Sequence, residues 1–244
     1  MKPTIKDKLE SEEYTYPMRI NKYLAFKKYS TRVGGDELVK NGKVFVNGRV
    51  AILGEKIGKD DKVVVKTDTK KKDYAYFAYN KPKGIISHSP QKGEKDIAQS
   101  ISLKGVFPVG RLDKNSHGLI ILTDDGRVTD RLLNPKYSHD KEYLVTTLNK
   151  ISPSFKNKME SGVNIEGYKT QKSSVTLLGD RTFKITLTEG KKHQIRRMCA
   201  VLKNDVTDLK RVRVMNIHLG KLGDGQHRQI KSDELQKFLK SIGL

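Results

Sequence analysis

One aspartate stands out by its place in a short polar loop between two apolar runs. Asp113 lies in the segment GRLDKNSHGLIILTDDG, residues 110–126. The run VFPV precedes this segment, and the run LIIL follows Asp113 within it. Two strands joined by such a loop hold a carboxylate at a fixed point on a rigid sheet, which is how sheets commonly present a reactive group. An ordinary β-hairpin fits equally well, because Asp, Asn, Ser and Gly favour loops through local hydrogen bonds. The segment alone indicates either a reactive carboxylate or a plain turn.

A cluster of cations at the start of a predicted helix is the second candidate. The segment TEGKKHQIRRMCAVL, residues 188–202, has an apolar helical face, and its first turns carry Lys191, Lys192, Arg196 and Arg197. Positive charge there opposes the helix dipole. We therefore predict that one arginine pairs with a site carboxylate and that others face phosphates. The alternative is a solvated basic helix start, which costs only roughly a few tenths of a kcal/mol.

The third candidate is a strand that carries a tyrosine close to a lysine. Alternation in KEYLV places Lys141, Tyr143 and Val145 on one face. A tyrosine in a strand can simply pack against its neighbours. It can also stack on a nucleic-acid base beside a positive charge.

The elements that would position these residues follow an α+β pattern. Strand-like runs occupy residues 74–80, 142–148, 174–178 and 183–188, and helical patterns occupy 154–161, 191–202 and 232–242. The pattern predicts a larger domain, residues 74–244, on a mainly antiparallel mixed sheet with flanking helices.

A smaller basic α/β module is predicted over residues 17–66. A helix begins near Met18, a second runs from Ser30 or Thr31 toward Lys40, and Asn47-Gly48 indicates a hairpin before a strand at 62–66. Gly34 and Gly35 weaken the second helix by about 1 kcal/mol each relative to Ala, so the sequence leaves open whether this helix is intact or broken. Residues 1–16 are predicted to be disordered, and residues 67–73 are predicted to be a linker.

Composition points to a polyanionic partner. The chain carries 49 Lys and Arg against 28 Asp and Glu, a formal net charge of +21, and a nucleic acid is the natural counterpart of so basic a chain. Cys199 is the only cysteine, so the chain has no internal disulfide, and the six His lack metal-ligand spacing. We expect no metal, no small-molecule cofactor, no membrane association and a cytoplasmic location.

Together these segments resemble the rRNA pseudouridine synthases that carry an S4-like RNA-binding domain at the N-terminus. The matching pieces are MRINKYLA and KVFVNG in the small module, then YNKPKG, GRLDKNSHGLIILTDDG, KEYLV and EGKKHQIRRM. The later RVRVMNI, residues 211–217, is most similar to the branch that modifies large-subunit rRNA. Two features depart from the family pattern: the Gly34-Gly35 pair, and His227 where a larger aromatic residue is expected.

The resemblance implies a reaction and its catalytic residues. Uracil is cut from its ribose, turned and rejoined through carbon 5, after the base has left its stack. Asp113 matches the essential aspartate, Tyr143 the base-stacking tyrosine and Arg196 the arginine that pairs with the aspartate. A lone carboxylate in a dry pocket needs such a cation to remain ionised.

It also implies residues that bind the substrate. Arg111 matches the residue that fills the space left by the flipped uridine, Leu187 lies beside the base, and Lys81 and Pro82 belong to a motif that shapes the sheet. Lys141, Gln194 and Arg197 complete the expected substrate-binding set. The residues expected to bind RNA in the small module are Arg19, Asn21, Lys22, Arg32, Lys40, Lys43 and Asn47.

The expected partner is structured RNA, with large-subunit rRNA as the first choice, and the protein is expected to be a monomer. Two alternatives stay open at this point. One is the same reaction on tRNA or small-subunit rRNA. The other is a non-catalytic RNA-binding or ribosome-assembly protein on the same scaffold.

Overall fold

The computed structural model describes residues 16–27, 29–66 and 73–244. The expected disordered segment 1–16 and the expected linker 67–73 therefore lie almost entirely outside the described residues. The chain divides into two compact units, the first reaching Tyr74 and including residues 125–127 and Gly243, and the second holding the remainder.

The first unit combines two helices with short strands. Its elements are β1 (Met18–Arg19), α1 (Ile20–Phe26), α2 (Arg32–Lys40), β2 (Val44–Val46), β3 (Arg49–Val50), β4 (Lys56–Ile57) and β5 (Val63–Val65). Strand β1 pairs with β4, and β3, β2 and β5 form an antiparallel sheet. The hairpin predicted at Asn47-Gly48 is present, with positive φ angles of 53° and 86°, as a tight turn between twisted strands requires.

The second helix, which Gly34 and Gly35 left in question, is intact. Helix α2 is continuous, and the Thr31 hydroxyl caps it by accepting a hydrogen bond from the Gly34 amide at 2.9 Å. Gly35 is buried, and a Cβ there would lie 3.3 Å from the Asn21 Cα. The glycine allows α1 and α2 to approach closely, and this packing outweighs its low helix propensity.

The remaining elements belong to the predicted larger domain. They are β6 (Tyr76–Lys81), α3 (Ile97–Ser100), β7 (Phe107–Val109), β8 (His117–Thr123), α4 (Arg127–Leu133), a 3₁₀ turn (Pro135–Tyr137), β9 (Lys141–Thr147), α5 (Phe155–Ser161), β10 (Asn164–Ile165), β11 (Tyr168–Lys169), β12 (Ser174–Leu177), β13 (Thr182–Leu187), α6 (Gln194–Val201), β14 (Val206–Val214), β15 (Ile217–His218), β16 (His227–Gln229) and α7 (Ser232–Ser241).

A nine-stranded sheet organises this domain and confirms the predicted fold class. Its strand order is β12-β13-β9-β14-β8-β6-β16, with β15 beside β14 and β7 beside β8. Among its strand pairs in the described part of the chain, β8 and β14 run parallel and the others are antiparallel. The sheet therefore consists of two antiparallel halves joined at one parallel pair.

We call that junction the seam, defined by His117 and Gly118 of β8 opposite Lys210 and Arg211 of β14. Gly118 has a φ of +103°, and a Cβ there would lie 2.3 Å from the Arg211 carbonyl oxygen. Only glycine permits this backbone conformation and this approach.

Each half of the sheet has its own apolar cluster. Phe155 and Met159 of α5 and Met198 and Cys199 of α6 pack with Phe183 on one half. On the other half, the buried cluster consists of Tyr79, Ile97, Ile120 and Leu122. The last strand is formed despite the unusual His227, whose ring meets Phe77 edge-on at 5.8 Å between centroids.

Candidate active site

The loop that carries Asp113 is fixed at the backbone on both sides of that residue. The buried Ser87 hydroxyl accepts a hydrogen bond from the Leu112 amide at 2.9 Å and donates one to the Leu112 carbonyl at 3.0 Å. The Gly84 amide donates to the Lys114 carbonyl at 2.9 Å. The segment after β6 therefore holds the loop in place through hydrogen bonds to its backbone.

The Asp113 carboxylate is accessible at the surface of this rigid loop. Its side chain is 38% exposed, and its Oδ1 lies 3.5 Å from Nε2 of His193. The Asp113 carbonyl accepts a hydrogen bond from the Ser116 amide at 3.0 Å, which closes the turn. The arrangement presents a carboxylate to solvent on a backbone that does not depend on that carboxylate.

The predicted ion pair between Arg196 and Asp113 is wrong in this structure. Arg196 donates to the Val206 carbonyl at 3.0 Å, to the Asn115 carbonyl at 3.1 Å and to the Ser116 hydroxyl at 3.5 Å. The guanidinium holds the Asp113 loop through its backbone and leaves the carboxylate to His193. A planar group with five donors can satisfy several carbonyls at once, which the spacing of the sequence does not reveal.

The cations expected in the first turns of the helix have other positions. Helix α6 begins at Gln194, so Lys191 and Lys192 precede it. Arg197 forms an ion pair with Glu166 at 2.6 Å, which attaches the helix to the turn between β10 and β11.

Gln194, expected to bind substrate, is only 4% exposed. Its amide oxygen accepts a hydrogen bond from the Lys191 amide at 2.8 Å, and its amide nitrogen donates to Glu189 at 2.6 Å. We correct its role to the positioning of the helix start.

Strands β9 and β13 supply an aromatic and apolar surface. Tyr143 is half-buried against the core cluster and lies opposite Ile185 of β13 and Arg211 of β14. Leu187, at the end of β13, is 3% exposed and lies opposite Lys141. The two residues predicted to meet the base therefore share one core cluster.

Two lysines of this domain have lowered pKa values. Lys81 is fully buried, and its ammonium donates to the carbonyls of Pro82 at 2.9 Å and Ile85 at 2.5 Å. Burial lowers the pKa of Lys81 to about 8, although Asp113 acts in the opposite direction. Burial, together with repulsion from Arg211, also lowers the pKa of Lys141 to about 8. Positive charge is thus concentrated near a carboxylate that must stay ionised.

Side chains also cross the seam. Asp208 of β14 accepts from Lys83 and lies 3.1 Å from Nε2 of His117. Burial raises the pKa of Asp208, but the hydrogen bonds from Lys83 and His117 outweigh it and leave that pKa below its usual range. Arg211 donates to the Leu119 carbonyl at 2.6 Å. No local pattern predicts these contacts, because the partners are far apart in the chain.

Arg111 lies in the same loop as Asp113 and is exposed. In the part of the chain that the structure describes, its guanidinium makes no hydrogen bond or ion pair. It is therefore available to contact a ligand beside the carboxylate.

A basic pocket lies in the first unit. It is lined by Pro17, Met18, Arg19, Asn21, Lys22, Arg32 and Lys56. Four residues of the predicted RNA-binding set are therefore brought together. Lys40 and Lys43 lie outside the pocket lining. The Asn47 side chain donates to Asp61 and accepts from the Lys62 amide, so it connects the hairpin turn to the segment before β5.

Other expected features can be compared with the described residues. Among them, no group of three His, Cys, Asp or Glu side chains is placed to hold a metal ion. The same residues contain no helix with the length and apolar character needed to cross a membrane. Cys199 is buried, and burial raises the pKa of its thiol to about 12, which suits a packing role.

Comparison with known families matches both parts of the chain. Residues 75–201 match the RNA pseudouridylate synthase family, and residues 18–63 match the S4 domain.

Relatives extend the match over nearly the whole chain. The dual-specificity RNA pseudouridine synthase RluF of Salmonella typhi is 38% identical over 92% of this chain and 79% of its own length. The ribosomal large subunit pseudouridine synthase B of Bacillus subtilis is 32% identical over 90% of this chain and 95% of its own length.

A crystal structure of a pseudouridylate synthase superposes with a TM-score of 0.68 at 26% identity, covering 92% of this chain and 99% of that one. Sequence and fold thus agree over the same residues. The chain belongs to the RNA pseudouridylate synthase family, carries an S4 domain at its N-terminal side, and is an RNA pseudouridine synthase.

Proposed function

We propose that this enzyme converts a uridine of large-subunit rRNA to pseudouridine, with Asp113 as its essential group and the target base turned out of its stack. The observation that carries the proposal is the half-exposed Asp113 carboxylate on a loop that Ser87, Gly84 and Arg196 hold by the backbone. Such preorganisation keeps the reacting group in place without using it for folding.

The chemistry requires one bond to break and one to form. The N1–C1′ bond of uridine is cleaved, a C5–C1′ bond replaces it, and the proton on C5 is lost while N1 gains one, so no atom is added or removed. Asp113 assists as nucleophile or base at the ribose. A glycosidase would usually need two carboxylates and a water molecule, whereas an isomerisation needs water kept away.

The neighbouring residues suit a base outside its helix. Extrusion costs a few kcal/mol, and stacking on an aromatic ring returns about 1–3 kcal/mol per base. Tyr143 and Leu187 provide the ring and the apolar wall, and the exposed Arg111 can occupy the gap in the RNA. Arg197 and Lys141 add positive charge beside them.

The choice of large-subunit rRNA rests on similarity and on charge. The Bacillus subtilis relative is described as a large-subunit synthase. The basic pocket of the first unit, with Arg19, Asn21, Lys22 and Arg32, would bind phosphates of a folded RNA. We further propose that the protein acts as a monomer in the cytoplasm.

A second RNA target is favoured by one observation. The Salmonella typhi relative, which has the higher identity, is described as having dual specificity. Action on tRNA or small-subunit rRNA is therefore the second candidate. A non-catalytic role is disfavoured, because it would not explain why the loop holds the accessible Asp113 carboxylate in a fixed position.

The catalytic proposal is tested with Asp113→Asn. The amide has the same shape but is neither a nucleophile nor a base, so the loss of activity should exceed the ~10²–10⁴-fold typical of acid–base assistance. The free energy of unfolding should change by less than about 1 kcal/mol, because the carboxylate makes only a half-exposed ion pair. Asp180→Asn, at an exposed carboxylate paired with Lys150, is the matched control. Substantial activity in purified Asp113→Asn would overturn the assignment.

The target is tested by chemical mapping of pseudouridine in total RNA with and without the gene. Loss of a signal in large-subunit rRNA, restored by the wild-type gene and not by Asp113→Asn, is the expected result. A signal lost only from tRNA or small-subunit rRNA would place the enzyme in another branch.

A further inference from the structure

The side chain that faces the Asp113 carboxylate is His193. Its Nε2 lies 3.5 Å from Oδ1 of Asp113, and the two side chains are 48% and 38% exposed. Within the described residues, no other side chain forms an ion pair or hydrogen bond with this carboxylate. Arg196, which was expected to pair with this carboxylate, donates hydrogen bonds to backbone carbonyls instead.

The backbone of His193 is held in an uncommon conformation. Its φ and ψ are 52° and 28°, in the left-handed region, which is unfavourable for a residue other than glycine. The structure around it maintains this conformation. The Gln194 side chain bonds both the Lys191 amide and Glu189, and the Arg197 amide donates to the His193 carbonyl at 2.9 Å.

Glu189 anchors this turn from inside the domain. It is 6% exposed. It accepts hydrogen bonds from Gln194 at 2.6 Å, from the Tyr168 hydroxyl at 2.5 Å and from the Gln171 amide at 2.9 Å. The turn is therefore built from buried groups, and the imidazole that it presents is accessible. Strained residues held in this way cluster at functional sites.

We propose that His193 is a positioning residue that orients the Asp113 carboxylate for reaction. At this ion-pair distance from Oδ1 the imidazole restricts rotation of the carboxylate, which leaves Oδ2 to meet the ribose. Arg196 holds the loop and His193 holds the side chain. This inference rests on the proposed role of Asp113.

The test compares His193→Gly and His193→Asn with wild type. Glycine adopts the left-handed conformation freely and asparagine tolerates it, so both should keep the turn. Each removes the imidazole from Asp113. Thermal melting of both variants verifies that they fold, and Lys172→Ala, at an exposed lysine next to Gln171, is the control for loss of a surface side chain.

We expect the single-turnover rate constant at saturating RNA to fall about tenfold or more in both variants, because a carboxylate that is no longer oriented reaches the reactive geometry less often. The dissociation constant for RNA should change by less than about twofold, because His193 contacts Asp113 and not the ligand. Added imidazole should restore part of the rate of His193→Gly. It should not restore the rate of Asp113→Asn.

Three outcomes would overturn the inference. One is an unchanged rate constant in both variants. The second is a weaker dissociation constant with an unchanged rate at saturation, which would make His193 an RNA contact. The third is a lost rate that imidazole does not restore in folded His193→Gly. Failure of the proposed function has a different signature, because Asp113→Asn would then remain active.

Discussion

Arg196 should contribute to stability through the backbone and not through Asp113, and a double-mutant cycle can separate the two. Arg196→Ala removes the hydrogen bonds to the carbonyls of Val206 at 3.0 Å and Asn115 at 3.1 Å. A hydrogen bond from a charged group is worth about 1.5–3 kcal/mol. Because Arg196 is half-buried, we take the lower value for each and expect a loss of about 3 kcal/mol.

Asp113→Asn alone should cost less than about 1 kcal/mol. If the two side chains do not touch, the double variant should lose about the sum, with a coupling energy below about 0.5 kcal/mol. The free energies come from urea denaturation followed by circular dichroism, with equal m-values as the condition for comparison. Arg181→Ala, at an exposed arginine, is the control for loss of surface charge.

A coupling energy above about 1.5 kcal/mol would contradict this reasoning, since a direct pair loses its interaction only once in the double variant. A loss below about 0.5 kcal/mol for Arg196→Ala would show that the hydrogen bonds from Arg196 to the carbonyls of Val206 and Asn115 contribute little to folding stability.

Three further predictions concern the seam, a buried lysine and the small module. Gly118→Ala should destabilise the protein by more than about 3 kcal/mol, since its Cβ would meet the Arg211 carbonyl at 2.3 Å; Gly179→Ala, with open space around it, should have little effect in the same urea titration. Burial lowers the pKa of Lys81 from 10.5 to about 8; the unfolded chain binds the additional proton between these values, so the free energy of unfolding should rise by about 2 kcal/mol from about pH 7.5 to about pH 9.5. Lys81→Met should lack that part of the rise, and equal pH profiles would contradict the assignment. Replacing three pocket cations by alanine should lower the slope of log K against log salt by about 2; an unchanged slope would exclude phosphate contacts by Arg19, Lys22 and Arg32.

Much of the fold was predictable because its signals are local. The Asn47-Gly48 turn, helices α5, α6 and α7 and the alternation in β9 and β13 each depend on a few neighbouring residues. The Gly34-Gly35 pair left the second helix in question because the low helix propensity of glycine is offset by a tertiary contact, which the local sequence does not show. Helix propensity says nothing about the backbone of Asn21, which lies close enough to require a glycine at position 35.

The site was predictable in its residue types but not in its contacts. Asp113 and the basic start of α6 were correctly brought to one place. Arg196 was expected to pair with the carboxylate because of the family resemblance and because cations crowd the start of this helix. In the structure, the Arg196 guanidinium donates instead to the backbone carbonyls of Asn115 and Val206. No pattern in the sequence indicates which carbonyls lack a backbone donor and can accept from a side chain. The contacts of Ser87 and Asp208 depend on similar long-range pairing.

The seam has a consequence for how the enzyme becomes active during folding. Asp113 leads into β8, whereas His193 and Arg196 lie at the helix that precedes β14, so the carboxylate of the proposed reaction and the residues that hold it come from opposite halves of the sheet. Contacts between residues this distant in sequence require the closure of a long loop, which costs entropy, and they therefore form slowly. Each half can reach its antiparallel pairing without an assembled site. Recovery of isomerase activity after dilution from urea should therefore follow the slowest folding phase, and a half-assembled chain should bind no uridine in reactive geometry.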